Sequence, residues 1–242
     1  MSGVRALEEV GGPVLAICAH PDDIEIHAGG LAARLARGGQ EVEFVLVTSG
    51  DRGTADPAQS REQVAAIREE EQRRAAAELG VDRITFLRLP EGDVQFELRA
   101  LREQVVRLIR EQRPRTIVTH DPFGRAENGD PCSVYPDHRA VGATVFEAAY
   151  VAAPAPLYYP EMLGAGLRPH KPDRLLCVMS DRPTFFIDIG AVFDQKWNAI
   201  KQHRSQGRAL PEMEGFFRRI AAEQGALAGC ELAEGYWELL PG

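Results

Sequence analysis

Apolar runs and amphipathic stretches alternate through the first two-thirds of the chain, and their spacing predicts strand and helix in turn. Residues 14–18 form an unbroken apolar run, the pattern of a strand buried on both faces. Residues 24–32 then read as a turn entering a helix from about Gly30 to Arg37, stopped by Gly38 and Gly39. A second strand at 42–47 runs into the polar loop 48–53. Ser60, with Gln63 three residues on, makes a capping box for a helix carried by Val64, Ile67, Ala75 and Leu79 and stopped at Gly80. Glu71 falls on that apolar stripe. A buried lone carboxylate is costly, so Arg68 is expected as its partner in an internal brace, the alternative being that Glu71 supports a site. A third strand, 84–89, ends in Pro90-Glu91-Gly92-Asp93, and a helix bearing Leu98, Leu101, Val105 and Leu108 stops before Pro114. The fourth strand, 116–119, ends in His120-Asp121-Pro122.

The later chain is less regular. Residues 123–134 read as a loop that forms a flap over the strand ends, followed by a helix whose inward stripe is Val141, Val145 and Ala149. Residues 151–172 hold five prolines and two glycines, the composition of an irregular excursion or small subdomain. Strands at 175–179 and 185–189 are expected to pair as a hairpin through Asp181-Arg182-Pro183. A helix over 191–203 carries Phe193, Trp197 and Ile200 as core, another helix spans 213–228, and 231–240 reads as a tail. The fold class is therefore α/β, a mostly parallel sheet with helices on both faces, in one domain over 1–242 with an irregular C-terminal excursion and a C-terminal extension over 207–242.

Composition narrows the function. A 242-residue chain with 44% hydrophobic and 26% charged residues is that of an ordinary globular protein. Its net charge of −8 argues against binding a phosphate backbone. No apolar run approaches membrane-spanning length, and residues 1–13 lack the apolar core of a signal peptide. Four scattered cysteines without a CxxC pair read as reduced residues. These features fit a cytoplasmic enzyme with neither a nucleic-acid nor a membrane partner; a homo-oligomer is compatible with them.

The chemistry gathers at strand ends, where open α/β sheets bind ligands. His20, Asp22 and Asp23 lie between the first strand and its helix, with His20 and Asp23 spaced to aim at one cation and Asp22 left to handle protons. His138 falls in the first turn of a helix, a position that lowers an imidazole pKa and leaves the ring able to bind a metal as a third ligand. Two His and one Asp describe a catalytic site for zinc or ferrous iron rather than a structural one. Asp51, Arg52, His120 and Asp121 point to the same edge. No Ser or Cys nucleophile has an obvious base, so hydrolysis by an activated water is the economical chemistry. His27 reads as a structural histidine, and nothing in the spacing of Asp130 or Cys132 demands a role.

These motifs resemble the LmbE-like, or PIG-L, family of metal-dependent deacetylases that act on N-acetylglucosaminyl compounds and related amides. The resemblance rests on Ala19-His20-Pro21-Asp22-Asp23 with Glu25 and Gly29-Gly30, and on Pro136-Asp137-His138-Arg139-Ala140-Val141-Gly142. Weaker echoes are Thr48-Ser49-Gly50-Asp51, the Arg68/Glu71 helix, His120-Asp121-Pro122, and Asp188 followed by Lys196 and His203-Arg204-Ser205-Gln206. It implies a Rossmann-like fold, zinc held by His20, Asp23 and His138, Asp22 as general base, and a small amino-sugar or amide substrate. The family's second motif usually reads His-Pro-Asp-His, whereas this chain has Tyr135-Pro136-Asp137-His138. In that pattern Asp137 would orient the residue at 135, which steadies the oxyanion or protonates the leaving group. Tyr135 can donate a hydrogen bond, but a pKa near ~10 makes it a poor proton shuttle. His120 or His203 is the expected substitute, and a metal-binding member with weak catalysis is the alternative reading.

Overall fold

The computed structural model describes residues 3–5, 7–124 and 135–240. Along the chain run β1 (Val14–Cys18), α1 (Asp23–Arg37), β2 (Val42–Thr48), α2 (Arg61–Leu79), β3 (Arg83–Leu89), α3 (Leu98–Gln112) and β4 (Thr116–His120). They are followed by α4 (Pro136–Glu147), α5 (Pro160–Gly164), β5 (Arg174–Val178), β6 (Phe185–Asp188), α6 (Phe193–Ile200), α7 (Pro211–Ala228) and β7 (Ala233–Leu239). The strands form one sheet in the order β3-β2-β1-β4-β5-β7-β6. β1 to β5 pair in parallel, and β7 is antiparallel to both its neighbours.

Each face of the sheet has its own core, as the two-residue alternation of a strand requires. Leu15, Ile17 and Ala19 face a core shared with Leu101 and Val105 of α3 and Val141 and Val145 of α4. Ala16 and Cys18 face the other, with Leu31 and Leu35 of α1 and Phe193 and Trp197 of α6. The strand order reverses between β1 and β4, so their carboxyl ends open the crevice in which ligands of such sheets sit.

Four expectations are corrected. Helix α1 begins at Asp23, not near Gly30. Its glycine pair is a packing surface: a Cβ on Gly30 would stand 2.4 Å from Ile189 Cγ2, and the amides of Gly30 and Leu31 donate to Glu234 at 2.7 and 2.8 Å. On α2, Ile67 is exposed, while Arg68, Glu71 and Gln72 are buried. Arg68 and Glu71 do not form the expected brace: Glu71 accepts from the Ser205 amide at 2.8 Å and its hydroxyl at 2.6 Å. β5 and β6 are not a hairpin, because β7, the stretch expected as a tail, lies between them. Its alternation had been hidden by the glycine and glutamates of Ala233–Leu239.

Other expectations hold. The Ser60/Gln63 capping box is present, and Phe193, Trp197 and Ile200 are core. Cys18 and Cys177 are buried free thiols. The proline-rich excursion folds around α5 and is pinned by Arg110, whose guanidinium donates to the carbonyls of Ala152, Ala153, Ala155 and Tyr158. Most of the expected flap, with Asp130 and Cys132, lies outside the described residues.

Candidate metal centre

β1 and β4 deliver two histidines to the crevice and α4 a third. His20 follows β1, and its amide donates to Asp23 Oδ2 at 2.8 Å, closing a tight turn that holds both side chains on one side. α4 reaches the same point because Gly142 lies against the end of β4, where a Cβ would stand 2.5 Å from the His120 carbonyl oxygen. His138, in the first turn of α4, thereby meets a segment 118 residues away in sequence.

The donor atoms form a small triangle. His20 Nδ1 lies 3.1 Å from His138 Nε2 and 3.5 Å from Asp23 Oδ2, and His138 Nε2 lies 3.5 Å from Asp23 Oδ1. A tetrahedral cation with donors about 2.0–2.1 Å away sets its ligand atoms about 3.3–3.4 Å apart, so these residues fit such an ion. All three side chains are buried. Two imidazole nitrogens this close repel unless a proton or a cation lies between them.

Asp137 orients this cage. Its Oδ2 lies 3.2 Å from His20 Nε2, and its carboxylate accepts the amides of Gly92 at 2.6 Å and Val94 at 3.3 Å. With its proton on Nε2 alone, the ring would turn the Nδ1 lone pair to the other donors, an ion taking the place of an Nδ1 proton, the carboxylate–histidine arrangement of metal sites. Burial opposes a charge on His20, but Asp137, Asp23 and Glu91 outweigh it and raise its pKa to about 10. His138 goes the other way, down to about 3: burial dominates, Asp23 opposes, and the neighbouring imidazoles add to the fall. The predicted direction for His138 holds, with burial as its main cause. For Asp23, burial favours the neutral acid, yet His138, His120 and His20 keep its pKa well below the carboxylate range.

Asp22 stands beside the cage in a left-handed backbone conformation, φ 102°. Its amide donates to Gln72 Oε1 at 3.2 Å. Its carboxylate accepts from Arg208 Nε at 3.1 Å and lies 3.0 Å from Arg208 Nη2 and 3.6 Å from Arg68 Nη2. Arg68 is itself fixed by the carbonyls of Pro21, at 2.6 Å, and Gly50, at 3.2 Å.

The profile of the PIG-L family, GlcNAc-PI de-N-acetylase, matches residues 15–149, which carry every donor of the cage. The chain belongs to the PIG-L family. It is 34% identical over 227 residues to the diacetylchitobiose deacetylase of Thermococcus kodakarensis, covering 92% of this chain and 81% of that one. It is 28% identical to the 1D-myo-inositol 2-acetamido-2-deoxy-alpha-D-glucopyranoside deacetylase of Rhodococcus opacus, covering 82% of each. The structure of N,N'-diacetylchitobiose deacetylase from Pyrococcus horikoshii, complexed with its inhibitor MPG, superposes with a TM-score of 0.85 at 29% identity. That superposition covers 94% of this chain and 84% of the other. The chain is accordingly an enzyme of the N-deacetylase type.

The remaining candidates of this PIG-L protein divide by position. The exposed ring of Tyr135 flanks the cage, its centroid 5.3 Å from that of His138 and 6.4 Å from that of His20. The orienting carboxylate serves His20 rather than position 135, which corrects the expected pairing of Asp137. His120 is not at the open side. It is 1% exposed, stacks on His138 at 4.1 Å, and its Nε2 accepts the Ala19 amide at 3.0 Å. β4 runs one residue further than expected, which carries that ring beneath the cage. His203 is likewise no substitute for the missing imidazole and no substrate contact: it is fully buried, 3.3 Å from Glu25 Oε2. Asp51 pairs with Arg61, and Arg52 with Asp93 and, through its amide, Glu91. Asp121 caps its own loop, accepting the Phe123 amide at 2.8 Å. Those three residues therefore brace the loops of the crevice.

Gln72, Glu91 and Arg208 were missed by sequence reasoning. Glu91 Oε1 lies 3.8 Å from His20 Nε2 and 3.9 Å from Arg68 Nη1. Its place at the end of β3 was the available signal. Arg208 carried none, being 186 residues from the aspartate it touches.

Proposed function

We propose that this chain is a zinc-dependent hydrolase that removes the acetyl group from the amide nitrogen of an N-acetylglucosamine-containing small molecule. The observation that carries this reading is the cage of His20 Nδ1, Asp23 and His138 Nε2, with separations of 3.1–3.5 Å at the switch point of the sheet. Zinc is favoured, and ferrous iron accepts the same donors. The ion supplies a Lewis acid for the amide carbonyl and lowers the pKa of an attacking water.

The chain's own groups supply the rest. Asp22, next to the ligand Asp23 and outside the cage, takes the proton of the attacking water and passes it to the leaving amine. Tyr135 donates its hydroxyl to the oxygen on which negative charge develops, a role that asks for a donor and not for a shuttle. Asp137 holds His20 in the tautomer that presents Nδ1. The names of the relatives support an acetylated amino sugar as substrate: diacetylchitobiose in one, a glucosaminyl inositol in another.

The test pairs elemental analysis of the purified protein with a screen for amine released from N-acetylglucosamine, N,N'-diacetylchitobiose and N-acetylglucosaminyl inositol. About one zinc per chain with amine release is expected. Asp22→Asn should keep its zinc and lose ~10²–10⁴-fold in kcat, the range of a general base. Wild-type turnover in that variant rules out Asp22 as the base; zinc without amine release from any conjugate moves the protein to a metal-binding role.

A further inference from the structure

The segment after α6 reaches back over the first strand's turn. Ser205 is tied to Glu71, the Gln206 side chain donates to the Gly53 carbonyl at 2.8 Å, and Gly207 turns the chain at φ 67°. That anchorage aims Arg208 at Asp22, whose Oδ2 lies 3.1 Å from Nε and 3.0 Å from Nη2.

Asp22 occupies the N-cap of α1, where an aspartate ordinarily bonds a free amide of the first turn. Here its side chain makes no such bond. Its backbone sits instead at φ 102°, a left-handed conformation that a non-glycine residue keeps only where its surroundings enforce it. Gln72 holds the amide of that strained residue, and Arg68 and Arg208 hold the carboxylate. The two arginines differ. Arg68 is committed to the carbonyls of Pro21 and Gly50 and stands 3.6 Å from Oδ1. Arg208 donates its Nε–H to Oδ2 and brings Nη2 within 3.0 Å of the same oxygen, so one carboxylate oxygen is occupied and the other is left without a short bond to either guanidinium.

We propose that Arg208 is a positioning residue for Asp22: by gripping Oδ2 side-on it fixes the carboxylate plane so that Oδ1 faces the reacting water. This inference rests on the assignment of Asp22 as the base. The competing role is a substrate-binding arginine, which would act on KM.

The experiment uses the zinc-loaded full chain with N,N'-diacetylchitobiose and compares Arg208→Ala, Arg208→Lys, Asp22→Asn and the double variant Asp22→Asn/Arg208→Ala. Arg208→Ala is expected to lower kcat about 10–100-fold, the cost of a misplacement near 1 Å, with KM within about twofold and zinc content unchanged. Arg208→Lys, which keeps a charge but offers no fork, should recover part of that loss. In the Asp22→Asn background, Arg208→Ala should have no further effect on kcat. Independently of activity, crystals of Arg208→Ala should show the Asp22 carboxylate rotated or in two conformers while the cage stays in place. A rise in KM with kcat unchanged overturns the proposal, as does a full additive loss in the double variant or an unmoved Asp22 carboxylate. Those failures leave Asp22 as the base; wild-type kcat in Asp22→Asn removes the base and this proposal together.

Discussion

Single residues at this site are defined by what holds them. Asp137 is the clearest case, a carboxylate fixed by two backbone amides and turned on His20. Losing such a partner to a ligand typically costs 10–100-fold in metal affinity, since the imidazole loses both its tautomer and its orientation. Asp137→Asn should therefore weaken zinc retention by about that factor, read by competition with a chromogenic chelator, while the far-ultraviolet circular dichroism spectrum stays unchanged. Tyr135 is defined by exposure. It is 52% accessible beside a cage whose donors are buried, which suits a group that meets a substrate. The two remaining histidines show the reverse: His120, 3.3 Å from Asp23 Oδ2, and His203, 3.3 Å from Glu25 Oε2, are buried and do not line the open side of the cage.

Elements bring these residues within reach through a few close approaches. The most constrained is α4 on β4, where Gly142 leaves no room for a methyl group over the His120 carbonyl. Gly142→Ala forces the helix away from the strand that backs the cage. Overpacking of this kind costs about 1–3 kcal/mol. The expected result is a Tm lowered by roughly 2–12 °C, at about 2–4 °C per kcal/mol for a chain of this size, together with weaker zinc binding, since His138 rides on the displaced helix. Normal zinc affinity in a destabilised variant would mean that α4 shifts without moving His138. On α2, the buried Arg68, Glu71 and Gln72 serve the crevice, and the exposed Ile67 reports the same rotation of the helix.

Across the whole molecule, two buried carboxylates tie elements together on either side of the crevice. Glu234 of β7 takes the amides of Gly30 and Leu31, the Lys196 ammonium at 2.6 Å and the Tyr236 hydroxyl at 2.7 Å, joining β7, α1 and α6. At the opposite edge Glu69 joins α2 to β3 and to the loop after β2, accepting from Arg88 at 2.9 and 3.0 Å, Ser49 at 2.7 Å and Arg73 at 3.0 Å. The Arg88 bonds, against a smaller opposing effect of burial and with help from Ser49 and Arg73, lower the Glu69 pKa from 4.5 to about 2. A carboxylate depressed on folding contributes stability that is present in full above its unfolded pKa and is lost as pH falls through the folded value. Urea midpoints should therefore drop between about pH 4.5 and 2, and Glu69→Gln should flatten that part of the profile while lowering the midpoint at neutral pH. An unchanged slope would assign the acid loss to other carboxylates.

Local sequence determined much of this protein. The apolar run of β1, the capping box of α2 and the polar clusters at successive strand ends follow from short-range preferences, and so the parallel sheet and the His20/Asp23 turn were legible. The place of His138 in the first turn of a helix marked it as a third ligand, and the family resemblance pointed to the same residue. Only tertiary structure decided that β7 enters between β5 and β6, that Glu71 serves Ser205, that Asp137 turns to His20 and that Arg208 reaches Asp22. The physical reason is range. Periodicity and capping act over a few residues, whereas a long polar side chain chooses among whatever partners folding brings within its reach, and those partners lie 117 to 186 residues away in the cases that shape this site.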